Sequence, residues 1–156
     1  MLSKKEIVIV TQLRNGARQN LTKISKRTNI PISTIFDKLK KLEERNIVKH
    51  TSLIDFEQLG YNTRATIMLK SGKNERYELE KYLLKHEKIN SVFKITNGFD
   101  FFIEGIFRTI KELEDFLELV EDRFNVKKKN VFFIIKEIKR ENFMTNNELI
   151  KFELLS

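Results

Sequence analysis

The sequence predicts an α+β protein in two parts, a small helical head followed by a βαββαβ body. Three observations carry this prediction. Apolar residues recur at helical spacing up to about residue 44, and from Arg64 onward strand-like runs alternate with helical ones. Residues 1–50 hold twelve basic and four acidic side chains, whereas residues 51–156 hold eighteen of each, so the whole net charge of +8 lies in the first third. Turn signals stand at Asn29-Ile30-Pro31-Ile32 and at Asn97-Gly98.

Ile7, Val8, Val10 and Leu13 line one side of a first helix over residues 4–14, which Asn15-Gly16 should stop. A second short helix starts after Asn20, whose side chain can cap the amides of Thr22 or Lys23, and turns Leu21, Ile24 and Ser25 inward. Pro31 cannot continue that helix and pushes Ile30 toward extended geometry. Ser33 is the natural N-cap of a third helix reaching Glu44, with Ile35, Phe36, Leu39 and Leu42 as its apolar face. Its opposite face carries Ser33, Thr34, Asp37, Lys40, Lys41 and Glu44, with Lys38 on the flank. Three short helices with a Pro-bearing turn before the third make a helix-turn-helix. Asn46–His50 and Thr51–Asp55 then read as a small β-wing, and Phe56–Asn62, containing Gly60, as a connector.

The body opens with a strand over Arg64–Lys70, a helix over Asn74–Glu87 that turns Leu79, Tyr82 and Leu83 inward, and a strand over Ser91–Thr96. Asn97-Gly98 links it to a third strand, Phe99–Phe107, because both residues tolerate the positive φ of a type I′ hairpin turn. Thr109-x-x-Glu112 is a capping box opening a helix with Leu113, Phe116, Leu117, Val120 and Phe124 on one face. A last strand spans about Asn130–Ile138. The order βαββαβ is the ferredoxin-like split unit, whose two helices cover one face of a four-stranded sheet. The last strand is nevertheless apolar on both faces, with Val131, Phe133 and Ile135 on one and Phe132, Ile134 and Ile138 on the other. That predicts a sheet packed on a second copy, most simply as a two-fold dimer.

The expected organisation is thus a helix-turn-helix over 1–50, a wing and linker over 51–62, a ferredoxin-like part over 63–141, and a tail over 142–156. The tail's periodicity fits helix and strand alike, while Leu149, Ile150, Phe152, Leu154 and Leu155 argue that it docks. An apolar fraction of 40% with 13 Phe excludes a disordered chain, and the apolar runs are too short to span a bilayer, so no membrane partner is expected. Zero Cys excludes a disulfide scaffold and a thiolate metal site, and fits a cytoplasmic protein. No export signal is evident, and no cofactor is expected.

In a helix-turn-helix the third helix enters the major groove while neighbouring cations grip phosphate. That assigns Ser33, Thr34, Lys38 and Lys41 to a duplex-DNA interface, with Lys23, Lys26 and Arg27 on the preceding helix. A solvated basic face is the plain alternative. Ser33 serves equally as a cap alone. Asp37 repels phosphate but can accept from a cytosine amino group, and it can instead pair with Lys40 or Lys41 one helical turn along.

The stretch Ala17-Arg18 … Leu21-Thr22-Lys23-Ile24-Ser25-Lys26-Arg27-Thr28 … Ser33-Thr34-Ile35 … Leu39-x-x-Leu42-Glu43, with Ile47-Val48 and Leu59-Gly60, resembles the winged domain of the leucine-responsive regulator/AsnC family. Ile95-Thr96-Asn97-Gly98-Phe99-Asp100 resembles that family's small-molecule-sensing domain, so the resemblance covers about residues 4–140. It implies a prokaryotic, sequence-specific transcription regulator, dimeric through the ferredoxin-like part and in many relatives assembled further into tetramers or octamers. It also implies an amino-acid effector, with Asn97, Gly98, Phe99 and Asp100 as its contact region; turn geometry alone explains Asn97-Gly98 equally well. Two departures stand out. The family's usual Thr-Gly-x-aromatic-Asp has its glycine one place earlier than here, and Asp37 stands where a polar or basic residue is usual.

Two other readings share this build. One is an architectural DNA-wrapping protein without effector, to which Lys127-Lys128-Lys129 could contribute. The other is an enzyme resembling the siroheme decarboxylases, which use histidine in the sensing-type domain. This chain offers only His50 near the wing and His86 at a helix end. With no Ser/His/Asp set, metal-spaced cluster or glycine-rich phosphate loop, no catalysis is expected.

Overall fold

The structure, a computed structural model, describes residues 2–146. The chain divides into two compact units. Ile54–Glu137 form one, and the residues up to Leu53 form the other together with the described residues from Ile138 onward. The expected tail therefore lies mostly outside the described residues.

The first unit contains α1 (Lys4–Asn15), α2 (Leu21–Thr28) and α3 (Ile32–Arg45). Ser3 and Glu6 cap α1 reciprocally, the Ser3 hydroxyl accepting from the Glu6 amide while the Glu6 carboxylate accepts from the Ser3 amide. Gly16 ends α1 with φ 173, which is extended backbone and not the left-handed stop expected of Asn-Gly; its amide donates to Leu13 O. Ile9, Ile24, Ile30, Ile35 and Leu42 form a small buried core, with Val8, Val10, Leu13, Leu21 and Ile47 packed around it. The last turn of α1 is clasped by residues from the far end of the chain. Arg14 donates to Phe143 O at 3.0 Å and Glu141 O at 2.8 Å and pairs with the Glu141 carboxylate at 3.0 Å, while Asn15 donates to Thr145 O.

Two expectations fail here. No strand forms over residues 46–55, so the expected wing is irregular chain. Val48 is fully exposed and Leu53 more than half exposed, so neither expected strand has an apolar surface to lie on, and an isolated two-stranded ribbon is marginal in water. Phe36 is 59% exposed instead of buried. Consecutive helical residues lie about 100° apart, so Ile35 and Phe36 cannot both sit at the centre of one stripe, and Ile35 with Leu42 takes it.

The second unit begins with a 3-10 turn (Glu57–Leu59), ended by Gly60 at φ 83. It continues as β1 (Thr63–Lys70), α4 (Arg76–Lys85), β2 (Ile89–Lys94), β3 (Phe101–Phe107), α5 (Ile110–Phe124) and β4 (Lys128–Phe133). The sheet order β2-β3-β1-β4, antiparallel throughout, is that of the split βαβ unit. Ala65, Ile67 and Leu69 of β1 with Phe101, Ile103 and Phe107 of β3 face the helices, against Leu79 and Leu83 of α4 and Leu113, Phe116, Leu117, Val120 and Phe124 of α5. The Thr109 hydroxyl caps α5 by accepting from the Glu112 amide, but the Glu112 carboxylate reaches back to the Arg108 amide, one residue earlier than a capping box requires.

β4 stops at Phe133, short of the expected Ile138. Its register pairs Ala65 with Phe133, and β1 begins only two residues earlier, so the partner runs out. Val131 packs on the core, while Ile135 and Ile138 are almost fully exposed. The helix-free face of the sheet carries Phe93, Phe102, Met68 and Asn130 in one cross-strand row and Ser91, Glu104, Thr66 and Phe132 in the next. Phe93 and Phe132 are each about half exposed.

Candidate functional site

The helix-turn-helix presents the first candidate surface. Asn20 caps α2 by accepting from the Lys23 amide, and Asn29 ends it in the left-handed region at φ 56. The turn through Pro31 then leads into α3 at Ile32. Because the N-cap falls at Pro31, two residues earlier than expected, Ser33 lies inside the first turn and makes no capping bond; Pro31 leads into the helix with no side-chain cap hydrogen bond.

Of the expected DNA-facing residues, Lys23, Lys26 and Arg27 are exposed on α2, and Ser33, Asp37 and Lys41 on α3, with Lys40 beside them. Among the described residues Lys23, Lys26, Lys40 and Lys41 make no ion pair, and Arg27 donates only to the Gln19 side chain. Among the described residues Asp37 pairs with neither Lys40 nor Lys41. The carboxylate stands open on the outward face. Thr34 is half-buried. Lys38 is also drawn in: its ammonium lies 3.1 Å from the Glu6 carboxylate and 3.3 Å from the Ser3 hydroxyl, joining α3 to the cap of α1. The Ser3 hydroxyl and amide, with Lys38, hold the Glu6 carboxyl down at about 2.

The second candidate surface is the loop between β2 and β3. Asn97 and Gly98 both have positive φ, 63 and 89, as a hairpin turn of this sequence requires. Nothing within 4 Å would meet a Cβ on Gly98, so torsion alone calls for glycine there. The strands end at Lys94 and resume at Phe101, which makes the loop longer than a two-residue turn; Ile95 N donates to Asp100 O across its base. Phe99 offers its ring face to the Lys128 ammonium, 4.5 Å from the centroid. Asp100 is the anchor. Its carboxylate accepts from the Ser71 amide at 3.0 Å and pairs with Arg76 at 2.7 Å, and its own amide donates to Leu69 O. The expected contact residues therefore lie together, with Asp100 already holding the loop to the end of β1 and the start of α4.

Two features escaped the sequence reading. A cleft of about 560 Å³ opens among Phe56, Leu59, Tyr61, Lys88, Ile106 and Arg108, at the opposite end of β3 from the Asn97–Asp100 loop. Arg108 lies over the Tyr61 ring, and Lys88 pairs with Glu112 at 3.0 Å. On the same free sheet face, Arg64 bridges Glu104 and Glu137, and Glu104 also accepts from Asn90 and Ser91. Burial would raise the Glu104 carboxyl, but hydrogen bonds from Asn90 and Arg64 outweigh it and keep it below the usual range. A glutamate inside the apolar run Phe101–Phe107 was the available signal.

His86 packs between the Tyr82 and Phe116 rings, centroids 5.2 and 4.9 Å away, and burial lowers its pKa. Its Nδ1 accepts from the Lys88 amide. Among the described residues no group of three or more histidines or carboxylates is placed to hold a metal ion, and no helix is long and apolar enough to cross a membrane.

Comparison with known proteins places this architecture. The profile of the Lrp/AsnC ligand binding domain matches residues 64–143. The HTH-type transcriptional regulator FL11 of Pyrococcus horikoshii is 30% identical over 129 residues, covering 82% of this chain and 85% of that protein. An uncharacterised HTH-type transcriptional regulator of Pyrococcus abyssi is 24% identical over 90% of this chain and 97% of its own length. Among solved structures, a transcriptional regulator of Neisseria meningitidis crystallised with L-methionine superposes with TM-score 0.83 at 22% identity, covering 90% of this chain and 94% of that one. Escherichia coli AsnC superposes with TM-score 0.73 at 16% identity, over 90% and 96%. With a helix-turn-helix ahead of a ferredoxin-like sheet and a matching profile over the latter, the chain belongs to the Lrp/AsnC family of HTH-type transcriptional regulators.

Proposed function

We propose that this chain binds duplex DNA through α2 and α3, pairs with a second copy through the free face of its sheet, and answers to an amino acid. The observation that carries the DNA reading is the set of exposed cations on α2 and α3 that have no carboxylate to hold them. A lysine without an ion pair is free to displace counterions from phosphate, and a basic balance confined to the helix-turn-helix unit directs that capture to one surface. Ser33 and Lys41 on α3 then lie at the duplex, with Lys23, Lys26 and Arg27 gripping its backbone. Two such units tied by a dimer meet half-sites one or more helical turns apart.

Pairing through the sheet is supported by Phe93, Phe102 and Met68 side by side in one cross-strand row, with half-exposed Phe132 at the edge of the next, more large apolar side chains than a solvated sheet face ordinarily carries. An amino-acid effector is supported by the L-methionine in the Neisseria relative and by the Asn97–Asp100 loop. A ligand ammonium there competes with Arg76 for Asp100.

Selecting genomic fragments with the purified full-length protein, at stated salt, tests the DNA reading. Enrichment of a short pseudo-palindrome is expected, and its absence would refute sequence-specific regulation. Footprinting then separates local from architectural binding: one protected site of a few half-turns is expected, and extended periodic protection favours wrapping. For the effector, calorimetric titration with each of the twenty amino acids should give one binder, lost in Asp100→Ala and kept in Arg108→Ala at the cleft. The reverse pattern would move the site to the cleft.

A further inference from the structure

Phe36 is the one large aromatic side chain on α3, and it is more exposed than buried. It occupies the second turn, three residues after Ser33 and four before Lys40, so both lie beside it on the helix surface. Ile32, one turn earlier, is 46% exposed. The two make a short apolar edge along the first two turns of α3, bordered by Ser33, Asp37, Lys40 and Lys41. Scattered exposed apolar residues are ordinary, but this pair lies on the part of a third helix that meets base edges in a helix-turn-helix. The surrounding lysines bring a polyanion to it.

The major groove offers one apolar feature, the 5-methyl group of thymine, and aromatic or aliphatic side chains recognise it. We infer that Phe36 reads a thymine by packing its ring on that methyl group, giving the protein one base preference per half-site that no hydrogen-bonding residue of α3 supplies. This inference rests on the DNA-binding reading and adds a base identity to it. Asp37, beside Phe36, sharpens the choice, since its carboxylate repels the O4 and O6 acceptors of thymine and guanine and favours the amino groups of cytosine or adenine at its own position.

The test uses the full-length protein, Phe36→Ala, Phe36→Leu and a random duplex library. Exposure of the side chain predicts that both variants keep the helical circular-dichroism spectrum and oligomeric mass of the parent. The parent should enrich an invariant thymine in each half-site that Phe36→Ala no longer selects and Phe36→Leu selects weakly. Replacing that thymine by deoxyuracil in the selected duplex removes only the methyl group. It should weaken parent binding by about fourfold per half-site, from the burial of one methyl, and leave Phe36→Ala unchanged. The salt slope should stay the same in all three proteins, since no cation is altered.

The inference is overturned if deoxyuracil at no position weakens the parent, or if Phe36→Ala selects the same sequence. It is equally overturned if Phe36→Ala lowers the oligomeric mass, which would place the ring against another copy. Salt-dependent, sequence-selective binding by the parent with no thymine effect refutes Phe36 alone. Loss of all selectivity in the parent refutes the DNA reading beneath it.

Discussion

Replacing Lys41 by alanine removes a cation that is exposed and, among the described residues, has no ion pair. Nothing inside the protein loses a partner, so stability should change by no more than about 0.5 kcal/mol, as for ordinary surface substitutions. Binding is different. Each phosphate neutralised contributes about 0.9 to the slope of log affinity against log salt, and a dimer presents Lys41 twice, so the slope should fall by about 1.8. Across a fourfold range, roughly 50 to 200 mM salt, that makes the variant's deficit about twelvefold larger at the low end. Fluorescence anisotropy on a selected duplex measures this, with Lys38→Ala as the contrast. Lys38 is already bonded to Glu6 and Ser3, so its loss should lower the melting temperature by loosening α1 from α3 while changing the slope less than Lys41→Ala does. A Lys41→Ala slope equal to the parent's, or a larger slope change from Lys38→Ala, would refute the assignment of free and committed cations.

Phe132→Glu adds a charge to the half-exposed sheet face and should convert the proposed dimer to monomer at micromolar concentration by light scattering; an unchanged mass would move the interface elsewhere. Glu6 is held at about 2 against an ordinary 4.5, so the folded state binds fewer protons than the unfolded one across that window. Stability is complete above the ordinary value and declines as pH falls through the window, in the same direction as for Glu104. Thermal melts from neutral pH downward should show the decline, and Glu6→Gln should flatten it. Asn97 sits at φ 63, so Asn97→Ala should cost about 1 kcal/mol in denaturant unfolding while Asn97→Gly is neutral or better; equal effects would show that torsion does not decide this site.

What the sequence made legible was set by periodicity over long elements. The five inward residues of α5 are all buried, and the sheet order follows from βαββαβ. Short-range signals misled where a partner decides the outcome. The apolar residues of 46–55 suggest strands, but Ile47 packs on the helical core while Val48 and Leu53 stand exposed, so no ribbon forms. β4 ends close to where its antiparallel partner β1 begins, which is a property of register and cannot be read from β4 itself. On the helix-turn-helix, the exposure of Lys23, Lys26 and Lys41 follows from their positions on α2 and α3. The pairing of Lys38 with Glu6, 32 residues away in the chain, has no signal in the sequence around either residue. Phe36 was assigned to the core because hydrophobicity gives no sign that an aromatic residue faces outward.

The clasp on α1 bears on when the protein can become whole. Arg14 and Asn15 leave the ribosome early, yet their partners Glu141, Phe143 and Thr145 come 127 to 130 residues later. During synthesis the three helices of the first unit can assemble on their own small core, but α1 keeps an open C-terminal turn until Glu141, Phe143 and Thr145 have been added. The delay is long while the thermodynamic penalty is slight, because each doubling of a closed loop costs only about 0.6 kcal/mol. Completion of the first unit thus waits for synthesis to pass residue 145, and a polypeptide released at residue 137 would carry α2 and α3 beside an unclasped α1.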